Sequence, residues 1–325
     1  MDSLTHYDVA IIGGGPIGLA CGIAAKKAGL TFVIFEKGSM VNSLYNYPLT
    51  MTFFSTSEKL EIGDTPFVTD KVKPQRLEAL EYYRRIAIKF ELNIHLFEKV
   101  LAVDGEDGEF KITTSKASYL ARKVIISTGF YDIPVKLGIP GEELNKVSHY
   151  YRDPNYYALQ KVVVVGASNS SVDAALETYR KGAEVTMVIR DQGIGERVKY
   201  WVRPDIVNRI EEGSIKAYYH SNLTEISENH VIINTPDGEL SVENDFVLAL
   251  TGYQPDINFL NRLKINLSDD EKRYPQYNSD TMETNRKGMY LAGVICGGMD
   301  THKWFIENSR QHADLIIKHI EEGNC

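Results

Sequence analysis

The sequence predicts an α/β protein of two three-layer domains, each a parallel sheet between layers of helix, and three observations carry that prediction. A strand, glycine-rich turn, helix and second strand open the chain over residues 7–35. The same unit recurs roughly 150 residues later, and 325 residues exceed what one hydrophobic core ordinarily holds.

Residues 7–12 are a β-branched apolar run that reads as a strand, Gly13-Gly14-Gly15-Pro16-Ile17-Gly18 as a turn, and residues 19–28 as an Ala-rich helix stopped at Gly29. A strand over 31–35 completes the unit. The polar stretch 37–70 reads as loop, the apolar spacing over 74–90 as a helix, and the residues beyond that helix as a meander of short strands ending at 123–127. The second unit runs as a strand over 161–165, the turn Gly166-Ala167-Ser168-Asn169-Ser170-Ser171, a helix over 172–181 stopped at Gly182, and a strand over 184–189. Alternating strands come next at 214–219, 230–234 and 239–242, with a buried strand at 246–250. A strand at 288–292 leads through Gly293, Gly297 and Gly298 into one helix over 302–320, expected to return to the first domain and close its ligand crevice. The expected domains are 1–127 with 249–325, and 128–248.

Composition narrows the function classes. The net charge is −8, which offers no basic field for nucleic acid or an anionic membrane surface. No apolar run approaches the roughly 20 residues that cross a bilayer, and the N-terminus lacks a cationic segment followed by an apolar one, so a cytoplasmic protein is expected. Three cysteines at wide spacing, Cys21, Cys296 and Cys325, form neither a disulfide framework nor a metal site, and no Cys-x-x-Cys is present.

The first turn carries the chemistry most clearly. Gly13-x-Gly15-x-x-Gly18 comes after a strand and opens a helix, and Glu36 ends the next strand, so each half is Rossmann-like. Gly13 permits the tight turn, Gly15 lets backbone approach a pyrophosphate, and Gly18 allows close helix packing, while the helix N-terminus supplies free N–H groups. Glu36 would accept from ribose hydroxyls and repel a 2′-phosphate, so the site takes FAD or NAD rather than NADP. In the second turn Ser168 and Ser171 stand where glycines would, but Arg190 replaces the acid at the end of the next strand and Arg197 lies seven residues on. A guanidinium binds a 2′-phosphate bidentately, which points to NADPH.

The loop 42–57, rich in aromatic and small polar groups, suits an isoalloxazine. Ser127-Thr128-Gly129 and Thr251-Gly252 read as crossovers between the domains. Cys21 falls where the first helix wants a small apolar residue, and Cys325 is a terminal residue expected to be disordered. Cys296, in the turn after the last strand, is the one cysteine with a candidate redox role.

The spacing of both units, the two crossovers and the length resemble the low-molecular-weight thioredoxin reductases over the whole chain. The segment Ala292-Gly293-Val294-Ile295-Cys296-Gly297-Gly298-Met299-Asp300-Thr301-His302-Lys303-Trp304-Phe305 looks more narrowly like the YpdA-type family of bacillithiol disulfide reductases. That resemblance implies a thioredoxin-reductase-like fold, FAD and NADPH as cofactors, and reduction of a low-molecular-weight thiol disulfide. Three departures accompany it. No cysteine stands around 148–152, where thioredoxin reductases place a Cys-x-x-Cys; Val294 replaces the acid that holds the ribityl chain there; and Ile17 stands where several YpdA-type members carry a cysteine.

The residues expected around FAD are Gly13, Gly15, Pro16, Ile17, Gly18 and Glu36 from the first unit, with Lys37, Asn42, Tyr47, Ser55 and Val100 after it. Thr128 and Gly129 join them from the crossover, and Gly293, Thr301, Phe305 and Ile306 from the last segment. NADPH is expected on Gly166, Ser168, Asn169, Ser170, Ser171, Arg190, Arg197 and Gly252. No metal is expected. The acceptor is a small-molecule disulfide or a small redox protein, and the assembly a homodimer or homotetramer. Two alternatives stand beside this reading: electron transfer of the ferredoxin- or flavodoxin-NADP reductase kind, which needs no cysteine, and a flavin redox sensor of low turnover.

Overall fold

The computed structural model describes residues 4–323. The strands in chain order are β1 His6–Ile12, β2 Phe32–Phe35, β3 Ile94–His95, β4 Val100–Glu106, β5 Glu109–Thr114, β6 Ser118–Ile126, β7 Ile133–Pro134, β8 Val147–Ser148 and β9 Lys161–Val165. They continue as β10 Glu184–Val188, β11 Lys216–Tyr218, β12 Asn222–Ile226, β13 His230–Thr235, β14 Gly238–Glu243, β15 Phe246–Ala249, β16 Tyr253–Gln254 and β17 Met289–Leu291. The helices are α1 Pro16–Lys27, α2 Asn42–Asn46, α3 Arg76–Lys89, α4 Asn169–Tyr179, α5 Arg203–Glu211, α6 Ile257–Arg262, α7 Ile306–Ser309 and α8 His312–Glu322. The chain divides into two compact units, one of Met1–Tyr47, Met51–Ile133 and Tyr253–Cys325, the other of Pro48–Thr50 and Pro134–Gly252.

In the first unit, parallel strands run in the order β3-β2-β1-β6-β17. β6 is long enough to take two partners on one edge: residues 118–121 pair antiparallel with β5, and residues 124–126 pair parallel with β17. β4 extends the antiparallel arm. Val9, Ala10, Ile11, Val33, Ile34, Val124, Ile125 and Ile126 are fully buried, which is why these strands read as continuous apolar runs rather than alternating ones. α1 lies between the sheet and α8, so its residues 16–25 are buried on every side. α8 brings a single stripe to that contact, Ala313, Ile316, Ile317 and Ile320.

The second unit repeats the plan with the parallel order β11-β10-β9-β15-β8, and β12, β13 and β14 form a separate antiparallel meander. In both sheets the first strand after each glycine turn's own strand lies outward and the chain then crosses to the other side. The carboxyl ends of β1 and β6, and of β9 and β15, therefore flank a topological switch point, where open α/β sheets bind ligands.

Several elements differ from the sequence reading, α6 and β12 among them, which it omits. The expected helix over 302–320 is broken: residues 299–304 are turns tied by Asp300, whose carboxylate accepts from the His302 N–H at 3.3 Å and from the Tyr274 hydroxyl at 3.2 Å. Helix starts only at α7, where the Asn308 side chain accepts from the Phe305 N–H at 2.7 Å, and starts again at α8. The polar stretch 37–70 is not all loop but contains α2 and a 3-10 turn over Ser57–Leu60. α5 escaped the reading although Pro204 in its first turn announces it.

Candidate functional site

Each switch point holds one of the glycine turns. Gly13 has φ +114° and Gly166 φ +119°, a region that L side chains avoid, and each is closed in from the same direction. A Cβ on Gly13 would sit 2.7 Å from the Ser127 carbonyl oxygen, and one on Gly166 2.8 Å from that of Leu250. Ser127 locks the first turn by donating its hydroxyl to the Gly13 carbonyl at 3.0 Å. Gly18 lies so near that a Cβ would overlap the Gly13 oxygen, whereas a Cβ on Gly15 would meet nothing within 4 Å. Gly13 and Gly18 are therefore demanded by the protein itself, whereas nothing within the chain demands a glycine at 15. Pro16 begins α1 and leaves its unpaired N–H groups facing the same space.

Glu36 closes the turn from β2. It is 6% exposed, Oε2 accepts from the Gly14 N–H at 2.8 Å, and Oε1 accepts from the Gly38 N–H at 2.9 Å. Burial pushes its carboxyl above the usual range; the two N–H donors oppose this, Asp132 adds to it and Lys37 subtracts. Lys37 pairs with Asp132 at 2.7 Å. The chain then folds back over the turn, since the Val41 N–H donates to the Gly14 carbonyl at 3.0 Å. This puts Val41 at φ 47° and ψ 48°, a costly conformation for a β-branched residue, about 1–3 kcal/mol. α2, beginning at Asn42, lies beside the crossover: a Cβ on Gly129 would meet the Ser43 hydroxyl at 3.3 Å.

The remaining residues of the first site gather with unequal closeness. The Thr128 hydroxyl is buried with no hydrogen-bond partner among the described residues, a donor held open for another group. A Cβ on Gly293 would rest 3.3 Å from Ile17, so the turn after β17 packs on the start of α1. The Gly293 N–H donates to Nδ1 of the buried His312 at 3.1 Å. Tyr47 packs edge-on against Tyr131 at 4.7 Å, and the Ser55 hydroxyl donates to Glu307 at 2.7 Å, beside Ile306. Val100 is buried at the start of β4, two residues after Glu98, whose N–H donates to the Glu36 carbonyl at 2.8 Å. Phe305 is 48% exposed at the head of α7, and Thr301 lies in the turns before it. Cys296 and Cys21 are both fully buried; burial pushes the Cys296 thiol far up and the Cys21 thiol up to about 12. Cys325 lies outside the described residues.

In the second turn Ser168 is the N-cap of α4 and Ser170 is exposed on its first turn. Ser171, fully buried, donates its hydroxyl to the Ser168 carbonyl at 2.9 Å, filling the space that Gly18 leaves in the first unit. Asn169 points elsewhere, to the segment 197–199. Arg190 is exposed at the end of β10 with Asp191 at 3.8 Å, Arg197 is exposed, and Gly252 has φ +103° with nothing within 4 Å of a Cβ. Sequence reasoning missed Val41, His312 and the Asp173–Lys199 pair at 2.7 Å, because each owes its place to tertiary contact and none belongs to a local motif.

Two matching switch points, one ended by a buried acid and one by exposed arginines, define an oxidoreductase class built on paired dinucleotide folds. The chain belongs to the pyridine nucleotide-disulphide oxidoreductase family, whose model matches residues 10–293. It is 43% identical to bacilliredoxin reductase Bdr of Bacillus subtilis (strain 168) over 95% of this chain and 96% of that one. Bacillithiol disulfide reductase Bdr (YpdA) from Staphylococcus aureus superposes with a TM-score of 0.96 at 38% identity, covering 99% of this chain and 100% of the other. The Bacillus cereus protein of the same name gives 0.95 at 40% identity over 98% and 100%. Thioredoxin reductase from T. acidophilum, at 20% identity and a TM-score of 0.76, shares the fold. No helix among the described residues is long and apolar enough to cross a membrane.

Proposed function

We propose that this protein is a FAD-dependent NADPH oxidoreductase that reduces a low-molecular-weight thiol disulfide of the bacillithiol kind. The observation that carries the reading is the pair of equivalent turns at Gly13 and Gly166, differing at the strand after each by Glu36 against Arg190. The relatives named for bacilliredoxin and bacillithiol disulfide reduction support the substrate class.

FAD, when bound, supplies hydride acceptance from NADPH and two-electron donation onward. The protein's share is placement. Gly15 leaves the approach clear for a pyrophosphate, and the first N–H groups of α1 meet its charge. Glu36 retains two of its roughly four acceptor positions after serving Gly14 and Gly38, and these accept from ribose hydroxyls. Thr128 offers its unpartnered hydroxyl, and Asn42, Tyr47, Ser55 and the segment with Gly293, Thr301, Phe305 and Ile306 enclose the ring system. In the second unit Ser168, Ser170 and the first turn of α4 take the pyrophosphate, Arg190 and Arg197 take the 2′-phosphate, and Gly252 keeps backbone clear beside them. The protein acts in a reducing cytoplasm as a homodimer or homotetramer, which light scattering checks.

A second reading is electron transfer to a small redox protein. It is favoured by one observation: both described cysteines are sealed in the core, and Ile17 occupies the turn, so an acceptor that forms no bond to an enzyme thiol suits the site. Anaerobic mixing of the NADPH-reduced holoprotein with bacillithiol disulfide, ferredoxin or buffer separates the two. Reoxidation by the disulfide well above buffer supports the first reading. Ferredoxin outpacing the disulfide replaces it with the second, and a disulfide no faster than buffer overturns it.

A further inference from the structure

Arg197 sits on a segment that has no regular structure yet is fixed to the glycine turn at three heights. At the base, the Gly195 N–H donates to the Ala167 carbonyl at 3.0 Å. In the middle, the Asn169 side chain reads the segment in both directions: Nδ2 donates to the Arg197 carbonyl at 3.1 Å and Oδ1 accepts from the Lys199 N–H at 2.9 Å. One turn further along the same face of α4, Asp173 holds the Lys199 ammonium at 2.7 Å, with the two side chains only 21% and 9% exposed. Ile194 and Val198 anchor the segment in the core on either side of Arg197.

We propose that Asn169 and Asp173 are positioning residues for pyridine-nucleotide preference, latching the segment 195–199 to α4 so that Arg197 is presented in one place. This rests on the reading of the second turn as an NADPH site and deepens it. The two arginines are not equivalent in this light. Arg190 has a carboxylate beside it at 3.8 Å, whereas the Arg197 guanidinium is exposed and has no partner among the described residues, although its backbone is held. A cation whose backbone is fixed in advance loses less freedom on meeting a phosphate. The Asn169 amide, spent on the latch, is then a support for the 2′-phosphate contact rather than a contact of its own.

The test is steady-state reduction of a dye by the flavin-loaded enzyme with NADPH and with NADH, for wild type, Arg197→Ala, Asn169→Ala and Asp173→Asn, each with its melting temperature and flavin content. The expected result is that Asn169→Ala raises KM for NADPH about tenfold, with Asp173→Asn in the same direction. Asp173→Asn, which removes only the charge that holds Lys199, should leave kcat and the KM for NADH within about twofold. KM values for NADPH and NADH moving together, or neither moving, overturns the latch as a specificity device. If Arg197→Ala lowers NADPH preference while both latch variants leave it intact, only the latch has failed. If Arg197→Ala also leaves the preference intact, the NADPH reading at this turn has failed and the latch with it. Two variants on separate contacts keep the test open should one not fold.

Discussion

The backbone N–H of Gly293 donates to Nδ1 of His312 at 3.1 Å, and the imidazole that accepts it is 1% exposed. Accepting at Nδ1 requires the neutral ring, and burial holds the His312 pKa down to about 4. An unfolded histidine titrates near 6.5, so between those values the unfolded chain binds the extra proton and stability falls as pH drops. The loss from pH 7 to pH 5 is about 2 kcal/mol from this residue. His312→Gln keeps an acceptor for Gly293 without the titration. Urea unfolding at both pH values should show the variant losing about 2 kcal/mol less than wild type on acidification; parallel losses would reject the assignment.

Gly13 and Gly15 make a paired prediction, because one glycine is required by the fold and the other, on the proposed assignment, by the flavin. Gly13→Ala places a Cβ 2.7 Å from the Ser127 oxygen at a φ of +114° and should destabilise the flavin-free protein by about 2–4 kcal/mol. Gly15→Val meets open space, so its flavin-free stability should stay within about 1 kcal/mol of wild type while flavin affinity drops more than about tenfold. Melting of the flavin-free proteins and fluorescence titration with FAD read the two effects separately. Equal damage by both substitutions to both quantities would remove Gly15 from the site.

On the proposed assignment, Glu36 links flavin binding to protons. Its carboxyl is raised chiefly by burial, and hydroxyl donors from a bound ribose favour the charged form, so binding lowers that value. Affinity should accordingly weaken as pH falls through the flavin-free carboxyl's titration. Glu36→Gln cannot accept from both Gly14 and Gly38 and should cost about 1.5–3 kcal/mol of affinity at pH 7, with a flatter acid limb. Flavin dissociation constants from pH 5 to 8 decide it; an undiminished slope in the variant would place the proton elsewhere.

The legibility of each feature in the sequence depends on the kind of information that feature needs. Gly13, Gly15, Gly18 and Glu36 form a local motif with a fixed offset, and the duplicated unit at Gly166 shows through even with Ser168 and Ser171 in the turn, because strand and helix periodicity survive there. The broken helix over 302–320 was not legible: apolar residues continue at workable spacing, and what stops the helix is the Asp300 carboxylate meeting Tyr274, 26 residues away. Val41 falls in the stretch that reads as loop, and nothing local marks that its N–H donates to the Gly14 carbonyl with the residue left-handed. The role of Asn169 was hidden for the same reason, since its partners lie 28 and 30 residues on in a segment without periodicity.

The cysteines give the last prediction. A thiol reacts as its thiolate, and burial, with the Asp314 charge adding to it, raises Cys21 to about 12, while burial pushes Cys296 far up, with both side chains fully enclosed. Cys296 has His312 Nδ1 at 3.9 Å, but that nitrogen already accepts from Gly293, and the neutral ring brings no positive charge to stabilise a thiolate. Neither residue can then form a mixed disulfide in the folded protein without the core opening. The Cys21→Ala/Cys296→Ala variant should lose about 1–3 kcal/mol of stability through the lost packing. It should keep its flavin and reduce the disulfide at a rate within about twofold of wild type. In the native wild-type protein both thiols should resist iodoacetamide until denaturant is added, as read by peptide mass. A more than tenfold loss of disulfide reduction in a variant that retains its flavin would show that the core opens during turnover and that one of these thiols takes part.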